Sequence, residues 1–75
     1  MRKAIVDKRI KHQDIGGKEI TIEKVMMFGD APLNYALKNF IERLDKLPDV
    51  DDIIYYGHVG YFGYFVLPSE VEEID

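Results

Sequence analysis

The chain contains no cysteine and no tryptophan. Without a thiol there is no disulfide framework, no thiolate nucleophile and no cysteine-based metal site. Serine occurs once, as Ser69, and histidine twice, as His12 and His58. A Ser-His-Asp arrangement thus has one possible nucleophile, and Ser69 already has capping-box spacing with Glu72. No run approaches the ~20 apolar residues that span a bilayer. Met1-Arg2-Lys3-Ala4-Ile5-Val6-Asp7 meets a charge too early for a secretory leader, so a cytoplasmic location is expected. Lysine and arginine stop at Lys46.

What is present is a 75-residue chain, 47% hydrophobic and 32% charged. That balance predicts a folded chain, with residues 1–75 forming a single domain. A core this small supplies only about 3–5 kcal/mol of net stability without a staple, so association is a plausible further source of burial. The net charge of −4 is unevenly spread: +3 over residues 1–24, zero over 25–48 and −7 over 49–75. The split can steer an encounter with a partner. The overall sign argues against a duplex-binding protein, which needs a basic face.

Periodicity predicts an α+β fold: a small antiparallel sheet of two hairpins packed on one helix, in the order β-β-α-β-β. Residues 3–11 read as a half-buried strand, with Ala4, Val6 and Ile10 on one parity. Asp14-Ile15-Gly16-Gly17 reads as a turn. Residues 18–28 form the second strand, with Ile20, Ile22, Met26 and Phe28 on one face. Asp30 and Pro32 suit a helix start, and the helix is expected to run to about residue 46, before Pro48. Its apolar stripe is Leu33, Leu37, Phe40, Ile41, Leu44 and Leu47. Ile53-Ile54-Tyr55-Tyr56 and residues 61–67 read as a second hairpin around a turn at 57–60. Ser69 and Glu72 predict a short terminal helical turn, in a tail (69–75) expected to fray.

The second hairpin carries the candidate interface: Tyr55, Tyr56, His58, Tyr61, Phe62 and Tyr64. Adjacent aromatics on a strand point to opposite faces, and one helix covers one face. The others must be exposed, packed by the tail or buried on a partner. Tyrosine suits an interface because its ring is apolar while its hydroxyl keeps a hydrogen bond. Stacking on single-stranded nucleic acid is an alternative, with a basic amino-terminal hairpin beside the aromatics. It fits less well, because no Lys or Arg lies within twelve positions upstream of Gly60.

Asp49, Asp51, Asp52, Glu70, Glu72 and Glu73 form a candidate acidic patch. It suits an inhibitor that occupies the nucleic-acid-binding groove of another protein. No catalytic, cofactor-binding or metal-ligating set emerges: His12 and His58 sit in expected turns with no ligand spacing around them. The sequence therefore reads as a small, non-enzymatic, cofactor-free interaction or regulatory module. Its expected partner is another protein or a second copy of itself, with no membrane and with nucleic acid the less favoured alternative.

Overall fold

The structure is a computed structural model and describes residues 2–10 and 14–74. His12, expected in a turn, lies outside the described residues. The element order is β1 (Arg2–Val6), β2 (Glu19–Met27), α1 (Tyr35–Glu42), β3 (Ile53–Val59), β4 (Phe62–Val66) and β5 (Val71–Glu73). All pairings are antiparallel, and the sheet order is β4-β3-β2-β1-β5. The α+β class, the two hairpins and the single helix agree with the sequence reading.

β1 stops at Val6 because Asp7 builds a turn. Its Oδ1 accepts from the Arg9 backbone N–H at 2.9 Å and its Oδ2 from Arg9 Nη2 at 2.7 Å. The Arg9 side-chain and backbone hydrogen bonds lower the Asp7 pKa from 3.8 to about 2. A lowered value means that the pair's contribution is fully present above about pH 4 and disappears as the pH falls through 2. An NMR titration should find the Asp7 carboxyl near 2, and Arg9→Gln should return it toward its ordinary value. An ordinary Asp7 value in the wild type would show that the turn is not held by this pair.

β2 departs from simple alternation. Ile22 pairs with Gly57 but Lys24 pairs with Tyr56, so Glu23 is an extra residue in a β-bulge. The bulge switches parity. Ile20 and Ile22 enter one core cluster, while Met26 and Phe28 pack in the other, with the helix. The single face expected for all four is thereby divided between the two sides of the sheet.

The helix is shorter than its stripe suggests. Phe28–Asp30 forms a 3-10 turn, and Ala31, preceding Pro32, is extended at φ −68° and ψ 136°. Asn34 is the actual cap, its Oδ1 accepting from Leu37 N at 2.9 Å. Leu33 and Leu47 consequently fall outside the helix, and both are exposed.

β3 runs straight through the expected turn. Gly57 and His58 sit inside the strand, and the hairpin turns at Gly60-Tyr61, with Gly60 at φ +61°. Beyond β4, Pro68–Glu70 makes a 3-10 turn and the chain re-enters the sheet as β5 beside β1. Glu70, rather than Glu72, folds back on this turn: its Oε1 accepts from Leu67 N at 2.7 Å.

That short return explains the shape of the sheet. In a flat sheet, four strand spacings of ~4.8 Å would hold β4 and β5 ~19 Å apart. Only Leu67 and the 3-10 turn connect them, so the sheet curls. Its concave side encloses Ala4, Val6, Ile20, Ile22 and Val66, with Val71 packed alongside and Ile15 from the β1–β2 loop buried among them. On the convex side, Leu37 and Phe40 of α1 pack on Ile54 and Phe65.

Candidate functional site

The curl answers the question raised by the hairpin aromatics. Val59, Phe62, Tyr64, Val66 and Tyr55 share the concave face, through the pairs Val59–Phe62, Gly57–Tyr64 and Tyr55–Val66. Tyr55 and Tyr64 are half-buried against the concave core. Arg2 lies 5.2 Å from the Tyr55 ring centroid and pairs with Glu73 at 2.8 Å. Tyr56 is half-buried on the convex face. Its ring lies 4.7 Å from Phe65 and crosses over Gly63, whose missing side chain leaves room for the tyrosine hydroxyl.

His58 follows Tyr56 on the same face, with ring centroids 5.3 Å apart at 78°. Its Nδ1 lies 2.9 Å from Glu23 Oε2. The bulge in β2 is what places Glu23 there, a proximity that residue spacing does not reveal.

Two members of the set remain in solvent. Tyr61 is fully exposed and Phe62 is 70% exposed. They form the hairpin tip and, with Val59, Tyr64, Asp14 and Lys18, line an open depression of about 340 Å³. The structure therefore divides the six sequence-derived interface residues. Tyr55, Tyr56, His58 and Tyr64 are partly enclosed by their own chain, while Tyr61 and Phe62 are presented outward.

The acidic residues are also divided. Glu70 is enclosed with Arg43, and Glu73 is paired with Arg2. Glu72 is exposed on β5 opposite Ile5. Asp49, Asp51 and Asp52 lie together in the loop before β3, with carboxylate oxygens within 4.8 Å of one another, and all three are exposed. Part of this loop's role is structural: Asp52 Oδ2 accepts from Asp49 N, and the Asp52 and Val50 carbonyls accept from Phe28 N and Gly29 N. Pairing β5 with β1 also sets the acidic tail against the basic first strand, so part of the charge split along the chain is neutralised within the fold.

Sequence reasoning gave no functional role to Arg43, Leu33 or Tyr35. Arg43 is not part of the apolar stripe, yet its side chain is only 3% exposed. Leu33 was placed in that stripe but is 95% exposed, and Tyr35 is 76% exposed. Among the described residues, no helix is long and apolar enough to cross a membrane. Comparison with protein-family models, curated proteins and solved structures finds no match to this chain.

Proposed function

We propose that this is a small non-catalytic interaction module that engages a protein partner through the tip of the β3–β4 hairpin. The exposure of Tyr61 and Phe62 carries the reading, in a hairpin whose other aromatics all pack against their own chain. Burying an aromatic side chain of this size is worth about 1.5–3 kcal/mol, and the two rings stand side by side, Tyr61 on the turn and Phe62 at the start of β4. Engagement of Arg2 with Glu73 and of Arg9 with Asp7 favours a protein over a nucleic-acid strand, because it draws basic side chains away from a phosphate-tracking groove.

The test is quantitative affinity capture with the wild type and with Tyr61→Ser/Phe62→Ser. Both residues are exposed, so the variant should keep its circular dichroism and unfolding midpoint. A protein held by the wild type should bind the variant about 30-fold more weakly or worse, as for loss of an anchor of about 2 kcal/mol. Equal capture by both chains, or nothing specific on either, would remove the hairpin tip as a docking site.

A further inference from the structure

We propose that the outer flank of α1 is a two-fold interface between two copies of this chain. Leu33, Tyr35, Leu37 and Ile41 line an open, predominantly apolar groove of about 600 Å³ on this flank. Leu37 and Ile41, four residues apart, form a row along the helix, and Leu33, just ahead of the Asn34 cap, lines the same groove at its entry. Leu37 is buried in the core and Ile41 is half-buried, so Leu33, 95% exposed, and Tyr35, 76% exposed, supply the uncovered apolar area. An apolar row that continues outward from a core in this way lacks a cover.

The rim indicates what the cover is. Lys38 and Glu42 border the groove, both exposed, with Nζ and Oε1 3.9 Å apart. Within one helix this pair is in the weaker order, lysine before glutamate, and exposed pairs of this kind contribute little. Across a two-fold axis it gains a second use. An antiparallel second copy brings Lys38 against Glu42 of that copy, and Glu42 against its Lys38. A surface with one charge of each sign beside an apolar row is thus its own electrostatic complement. Such self-complementarity is what an isologous interface requires. A strongly acidic or strongly basic partner would meet one matching and one opposing charge. The second copy also supplies the additional burial that a 75-residue chain without a disulfide can use.

This surface is separate from the hairpin tip, and the proposal stands whether or not the tip has a partner. The experiment is sedimentation velocity on the full chain, with circular dichroism as the control for folding. The wild type should be a dimer, and Leu33→Asp should raise its dissociation constant at least tenfold with an unchanged spectrum. Lys38→Glu alone and Glu42→Lys alone should each weaken the homodimer, because both rim contacts become like-charged. Mixing the two variants should restore a dimer, since each contact then joins opposite charges. The like-charged pair inside each helix persists in the mixture, so an effect confined to the helix cannot produce that recovery. A wild type that stays monomeric up to about 1 mM, where binding is worth only about 4 kcal/mol, would overturn the proposal. So would a dimer indifferent to Leu33→Asp, or a mixture that fails to recover. A dimer abolished by Tyr61→Ser/Phe62→Ser but not by Leu33→Asp would move self-association to the hairpin tip and leave α1 without this role.

Discussion

Replacing Arg43 with methionine is expected to lower the unfolding free energy by about 3–5 kcal/mol, the cost of leaving one partner of a buried ion pair without the other. The guanidinium donates to both carboxylate oxygens of Glu70 and, through Nη2, to the Phe65 carbonyl at 3.0 Å. It also lies 5.0 Å from the Phe40 ring centroid. The two charged side chains are 3% and 10% exposed, so water does little to screen them. Arg43 follows the last residue of α1, while Glu70 closes the turn between β4 and β5. One contact therefore ties the helix to the segment that makes the sheet curl. A core of this size supplies only about 3–5 kcal/mol of net stability, so the variant should sit near its unfolding midpoint in water. The double variant Arg43→Met/Glu70→Leu should recover part of the loss. Its remaining deficit of about 1–3 kcal/mol reflects the Leu67 N–H, which loses its acceptor, and the Phe65 carbonyl, which loses the Arg43 donor. Urea unfolding of the three proteins measures these differences. An unchanged midpoint for Arg43→Met would mean that the pair is open to solvent.

Gly57→Ala should cost about 3 kcal/mol, at the upper end of overpacking effects, because backbone rather than a movable side chain stands in the way. An added methyl would lie 2.9 Å from the Thr21 carbonyl carbon and closer still to its oxygen. β2 and β3 would have to separate at Ile22–Gly57, beside the bulge. Amide exchange should accelerate along the middle of both strands, and urea unfolding should shift to lower denaturant. Gly60→Ala serves as the contrast. Nothing lies within 4 Å of its added methyl, and only the φ of +61° opposes it. Its cost should be about 1–2 kcal/mol, without accelerated exchange at Thr21. Equal exchange profiles for the two variants would refute the close approach at Gly57.

These two residues mark where reading the chain in one dimension stopped. Gly57 looked like a turn because it stands in a glycine-rich stretch, and glycine serves both turns and close backbone approaches. The choice between these depends on Thr21, which is remote in sequence. Nothing local to Arg43 signals its burial, because its acceptors belong to β4 and the following turn, more than twenty positions away. The same limit applied to the hairpin tyrosines. Their alternation was legible, but not the curl that brings Tyr55 and Tyr64 against Ala4, Val6 and Ile15.

Local pattern alone was enough for the α+β class, the two hairpins, the single helix and the aromatic character of the second hairpin. Those properties follow from periods of two and of about four, and from proline and glycine, which act over a few residues. The bulge at Glu23, the fifth strand, the enclosure of Glu70 and the exposure of Leu33, Tyr61 and Phe62 required the folded chain. Each depends on which distant segment arrives alongside, and that is set by the packing of the whole sheet around Ile15, Ile20 and Val66.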